Sequence, residues 1–123
     1  MREKDGSEQI MRIQEAAETL GLTTETLRYY ERVGLIGSVA RSEGGQRNYT
    51  DEELEEISKI TVLRRGGISV EDLTKIKLLL KENDEDEALR ILTEKISECR
   101  KRIENTARAL QALKGMEEEM KWA

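Results

Sequence analysis

The sequence contains no histidine, no proline and no phenylalanine, and it has one cysteine, Cys99, among 123 residues. Without histidine, and with a single thiol, an intramolecular disulfide is excluded and a zinc site or a His-based triad is implausible. No catalytic residue, metal ligand or cofactor site is assigned, and the chain is not read as an enzyme. No apolar run approaches the roughly 20 residues of a membrane span. The polar start MREKDGSEQ lacks the apolar centre of a signal peptide, so a cytoplasmic location without a membrane partner is expected. Hydrophobic residues make up 37% of the chain and charged residues 38%, with aromatics at 3%. A core that thin is expected to gain buried surface by dimerisation.

The formal net charge of −5 first argues against nucleic acid, because phosphate binding depends on Lys and Arg. The local distribution says otherwise. From Arg28 to Arg47, Arg28, Arg32, Arg41 and Arg47 stand against Glu31 and Glu43, a local balance of +2. Acid is concentrated elsewhere, at Asp51–Glu56, Asp84–Glu87 and Glu117–Glu119, and two of these runs begin helices, where carboxylates suit the macrodipole.

The stretch Ile13–Tyr49 carries the pattern that organises the chain. Ile13, Ala16, Ala17 and Leu20 have helical spacing, and Leu27, Tyr30 and Val33 repeat it. Gly21 falls where the first helix must stop, since glycine accepts the positive φ needed there. The hydroxyl of Thr23 or Thr24 then supplies an N-cap for a second helix. This is helix-turn-helix spacing over about residues 13–32. The polar face of the second helix bears Thr24, Thr26, Arg28, Tyr29 and Arg32, groups able to hydrogen-bond phosphates and base edges in a major groove. Ile10–Ile13 is a candidate strand leading into the first helix. Val39–Arg41 and Arg47–Tyr49, around Ser42–Gln46, read as a hairpin wing over residues 37–49, with Arg41 and Arg47 placed for phosphates.

Downstream, Thr50-Asp51-Glu52-Glu53 is a capping box opening a helix whose inner face is Leu54, Ile57, Ile60 and either Thr61 or Leu63. Arg64, Arg65, Gly66 and Gly67 close it. Ser69-Val70-Glu71-Asp72 opens another, inward at Leu73, Ile76, Leu79 and Leu80, which Asn83 and Asp84 break. The last helix, about Glu85–Glu118, spaces its apolar positions 3-4-3-4: Leu89, Leu92, Ile96, Cys99, Ile103, Thr106, Leu110 and Leu113. That is a coiled-coil seam of roughly 36 Å at 1.5 Å per residue, and a second copy of the chain is its natural partner. Cys99 reads as a small core residue of this seam rather than as a redox sensor.

Ile13-x-Glu15-Ala16-Ala17, Thr26-Leu27-Arg28-Tyr29-Tyr30-Glu31, Gly34-Leu35-Ile36, Gly45-x-Arg47-x-Tyr49 and Leu63-Arg64-x-x-Gly67-Ile68-Ser69 together resemble the MerR family of bacterial transcription regulators, from about Arg12 to Leu80. The resemblance implies a mainly α fold. A flexible tail at 1–10 precedes a winged helix-turn-helix domain at 11–82, a dimerisation helix at 84–118 forms an antiparallel coiled coil, and a tail at 119–123 follows. It implies a homodimer on a palindromic operator in double-stranded DNA, which bends and untwists the promoter spacer for RNA polymerase. It also places Arg28, Tyr29, Arg47 and Tyr49 on the DNA, with Arg64 or Arg65 near phosphates and Tyr30 packed inside. Metal-sensing members keep a cysteine near the start of the dimer helix and another in a loop after it, whereas Cys99 stands alone within the coil. Thiol-stress members carry a cysteine early in the helix after the wing, where this chain has Leu54. Only KGMEEEMKWA follows Leu113, so a short member without a large effector domain is expected. The competing reading is an excisionase-like architectural or coiled-coil interaction protein.

Overall fold

The computed structural model describes residues 11–122, in the order β1 (Met11–Arg12), α1 (Ile13–Leu20), α2 (Thr24–Arg32), β2 (Asn48–Tyr49), α3 (Asp51–Arg65), α4 (Val70–Lys81) and α5 (Glu85–Trp122). The expected tail at 1–10, and Ile10 of the expected strand, lie outside these residues.

Local chemistry sets most of the boundaries. Gly21 takes φ +69° and its N–H reaches the Glu18 carbonyl at 3.3 Å, which turns the chain out of α1. Thr23, rather than Thr24, caps α2: its hydroxyl accepts from the Thr26 N–H at 3.0 Å, and Thr24 is the first helical residue. The Thr50 box closes in both directions, with Glu53 N–H donating to the Thr50 hydroxyl at 3.2 Å and Thr50 N–H donating to the Glu53 carboxylate at 3.0 Å. Ser69 accepts from Asp72 N–H at 3.0 Å and starts α4. Asn83, at φ +61°, ends the helical path before α5, as an Asn can without a large steric cost.

The sheet differs from the expected hairpin. β2 pairs antiparallel with β1, Met11 opposite Tyr49 and Arg12 opposite Asn48. The two arms of the wing meet at the isolated antiparallel bridge Arg41–Arg47, flanked by Asn48 N–H donating to the Ala40 carbonyl at 2.8 Å and Ser42 N–H donating to the Gln46 carbonyl at 2.7 Å. A three-residue arm ending in a Gly-Gly turn offers few ladder positions. The strand thus finds its partner across the domain, at the entry to α1.

The chain divides into two compact units, Met1–Leu78 and Leu79–Ala123. In the first, Ala16, Ala17, Leu27, Tyr30, Leu35, Ile36, Val39, Tyr49, Leu54, Ile57 and Ile60 form one buried cluster. The small Ala16 and Ala17 let α1 lie close to its neighbours. Leu27, at 0% exposure, is the anchor from α2, and burying such a side chain stabilises by about 1.5–3 kcal/mol. Of the two candidates late in α3, Thr61 is inside, its hydroxyl donating to the Ile57 carbonyl at 2.9 Å, while Leu63 is exposed. Lys77 of α4 donates to the Leu35 carbonyl and to Glu56, both at 2.8 Å, tying α4 to α3 and to the turn after α2.

In the second unit Leu80 is exposed, so the expected inward face of α4 stops short of it. α5 does not end near Glu118 but continues to Trp122, so the expected tail is helical as far as that residue. Its 38 residues span about 57 Å at 1.5 Å each. Intrahelical pairs such as Arg90–Glu94 and Arg108–Glu104 line its polar side. Leu89, Leu92, Ile96, Ile103, Leu110 and Leu113 all lie exposed along it, and Met116 and Met120 continue the spacing. Thr106 is exposed and Cys99 half-buried.

Candidate nucleic-acid interface

α2 buries Leu27 and Tyr30 and turns Arg28, Tyr29 and Arg32 to solvent, with Thr24 and Thr26 half-buried at its first turn. The 3.6-residue period that places Leu27 and Tyr30 inward puts Arg28 and Arg32, four apart, on one outer strip. Arg32 lies over the ring of Tyr29, 5.5 Å from its centroid, a cation–π contact that stiffens both. Arg28 reaches toward Thr24 Oγ1 at 3.5 Å and Glu25 at 3.9 Å, contacts too long to hold it.

The wing is fastened to α2 by Glu31. One carboxylate oxygen accepts from Arg47 Nε at 2.6 Å and the other from the Val39 N–H at 3.2 Å, with Glu31 13% and Arg47 19% exposed. Burial alone would raise the Glu31 pKa, but the Arg47 hydrogen bond, the Val39 amide and the charges of Arg47 and Arg41 outweigh it, so the carboxyl sits below its usual value. Arg47 therefore has a structural task beside any contact with DNA. Arg41, exposed at the base of the wing, donates to the Gly45 carbonyl at 3.3 Å.

Next to this clasp, Arg12, Ile13, Gln14, Arg28, Gly45, Gln46 and Arg47 line an open cleft of about 380 Å³. Three arginines and, among the described residues, no Asp or Glu line it, which favours an anion. β1 presents Arg12, α2 presents Arg28, and the wing supplies Gly45, Gln46 and Arg47.

One expectation requires correction. Tyr49 is 0% exposed and its hydroxyl is buried without a hydrogen-bond partner, so its side chain has no surface from which to meet DNA. In a two-residue strand side chains alternate, and the register that seats Met11 opposite Tyr49 turns the phenol into the core; burial raises its pKa, against the Arg47 charge. Arg64 and Arg65 are both exposed at the end of α3, Arg64 donating to the Ile68 carbonyl at 3.0 Å. Arg65 lies over the turn after α1, where its guanidinium would be 3.4 Å from a Cβ at Gly21. Neither arginine lines the cleft.

The model of the MerR HTH family regulatory proteins matches residues 11–80, more than half of the chain. The chain belongs to that family. Among relatives of the MerR chain, the HTH-type transcriptional regulator AdhR of Bacillus subtilis is 45% identical over 74 residues, covering 60% of this chain and 53% of that protein. The chain thus spans about half the length of that relative. The ZntR homolog of Haemophilus influenzae is 38% identical over 102 residues, 79% of this chain and 73% of that one. In structure it resembles HiNmlR, a MerR family regulator lacking the sensor domain and solved bound to promoter DNA, at TM-score 0.71 and 28% identity, covering 84% of this chain and 80% of that one. The fold is the family's winged helix-turn-helix with a long C-terminal helix, and the family's members are regulators rather than enzymes. Among the described residues no helix is long and apolar enough to cross a membrane.

Two members of this candidate interface are not singled out by the sequence. Glu31 enters as a negative charge and as the end of the Thr26–Glu31 motif, without a partner, and Arg12 only as the residue where the resemblance begins. Both gain their roles through partners far along the chain, Arg47 sixteen residues away and Ser42 thirty residues away. Helical periodicity carries no signal for either.

Proposed function

We propose that this chain is a sequence-specific transcription regulator acting as a homodimer. Two copies joined along α5 in an antiparallel coiled coil would place their α2 helices on the halves of a palindromic promoter operator. The bound dimer bends and untwists the spacer so that RNA polymerase can engage both promoter elements, which makes it an activator by deformation of DNA. The observation that carries the reading is the cationic strip of Arg28 and Arg32 on α2, continued by Arg41 and Arg47 of the wing, in a chain whose net charge is negative. Protein of net charge −5 would be repelled by DNA unless its cations were gathered on one face. The uncovered stripe from Leu89 to Met120 supports the pairing, because an apolar seam of that length is costly to leave in water. The HiNmlR likeness points the same way.

A duplex selected from a random pool by the pure protein provides the test. Binding should fall steeply with salt: with about four phosphate contacts per copy, log K against log salt should have a slope near −7. Arg28→Ala should flatten that slope without changing the melting temperature. Salt-independent binding, or an unaltered slope in the variant, would remove the proposed reading surface.

A further inference from the structure

We infer that the cleft among β1, α1, α2 and the wing is a pocket for one phosphate of the duplex backbone, and that Arg12 is the residue that completes it. The inference rests on the DNA-binding reading above and names a contact that reading did not contain.

Three observations on different elements converge there. First, the lining includes Arg12, Arg28 and Arg47 and, among the described residues, no Asp or Glu. Glu31 holds Arg47 by Nε, so that arginine is fixed in place at the cleft wall. Second, Arg12 is itself the N-cap of α1 and its side chain makes no cap hydrogen bond; the N-terminal end of a helix favours an anion. Ile13 and Gln14, which open α1, line the same cleft. Third, the arginine is aimed by its surroundings. Pairing of Arg12 with Asn48 fixes the backbone, and Arg12 Nη1 donates to the Ser42 hydroxyl at 3.1 Å, so the side chain spans from β1 to the wing tip. A cleft of about 380 Å³ takes a phosphate group with its sugar edge but not a base pair, so the contact sets register and carries no base preference.

The experiment uses full-length protein and a duplex selected by the parent. Arg12→Ala should bind about tenfold or more weakly at moderate salt, and the salt slope should drop by about 2, one phosphate per copy in a dimer. The ranking of variant duplexes should stay as in the parent. Among the described residues the exposed Arg12 side chain makes one surface hydrogen bond, to Ser42, so the melting temperature should hold. A second arm replaces single backbone phosphates by neutral methylphosphonates. One position in each half-site should weaken the parent, and Arg12→Ala should be indifferent to that position. If the parent binds with a steep salt slope and Arg12→Ala matches it, or if no methylphosphonate position loses its effect in the variant, the pocket assignment is wrong while the reading surface stands. If the parent selects no duplex, the DNA reading itself falls, and the pocket with it.

Discussion

Replacing Glu31 by Gln would test how the wing is held. Glu31 receives two hydrogen bonds, from Arg47 Nε at 2.6 Å and from Val39 N–H at 3.2 Å, in a site where both ionic side chains are less than a fifth exposed. Hydrogen bonds to a charged group contribute about 1.5–3 kcal/mol each. The amide keeps an acceptor for one of them but leaves Arg47 largely enclosed without a counter-charge. The expected cost of Glu31→Gln is therefore about 2–3 kcal/mol at pH 7, a fall in melting temperature of about 10 °C for a domain of this size. The pH dependence has a definite sign. The folded state lowers the Glu31 pKa from its usual 4.5, so it binds the proton less readily than the unfolded state does. The stabilisation is complete above about pH 4.5 and disappears as pH falls through the lower folded-state value. Urea or thermal melts of parent and variant, run from pH 7 down to pH 3, should show a gap that narrows only below about pH 4.5. A variant within about 0.5 kcal/mol of the parent at pH 7, inside the usual range for an inert surface change, would refute the clasp. So would a gap that stays constant with pH.

Leu27→Ala should destabilise by about 3 kcal/mol, because a fully enclosed side chain leaves a cavity; denaturant melts read this directly. Thr50→Ala should cost about 1 kcal/mol by opening the box at the start of α3, with no effect on the sedimentation of the protein. Ile103→Glu should convert dimers to monomers in sedimentation at micromolar concentration, because a charge would enter the seam; an unchanged dimer would mean that copies associate elsewhere.

What could be read from the sequence followed the range of each interaction. The caps at Thr50 and Ser69, the stop at Gly21 and the inward positions of α1, α2 and α3 depend on residues three or four apart, and the structure shows each of them. The choice between Thr61 and Leu63 stayed open because both fit the helical period, and only neighbouring elements decide between them. The wing strands were less legible. Two short β-capable arms around Gly44-Gly45 suggest a hairpin, yet β2 pairs with β1, Tyr49 lying opposite Met11 from before α1. Tyr49 turns inward for the same reason: its register is set by β1, a strand that precedes α1 and α2 in the chain. In the candidate interface, Arg28 and Arg32 could be placed by periodicity. The Glu31–Arg47 clasp and Arg12 depend on contacts 16 and 30 residues apart, which no local pattern encodes. α5 is legible as a long helix with an apolar stripe, but not its extension through Met116 and Met120 to Trp122.

Sedimentation velocity of the protein with a duplex that it has selected measures both halves of the account together. Two chains on one duplex are expected at 100 mM salt, about the range where phosphate-driven binding persists, with Arg28→Ala dissociating the complex and Ile103→Glu leaving free monomers. One chain per duplex, or a dimer that ignores DNA under those conditions, would contradict it.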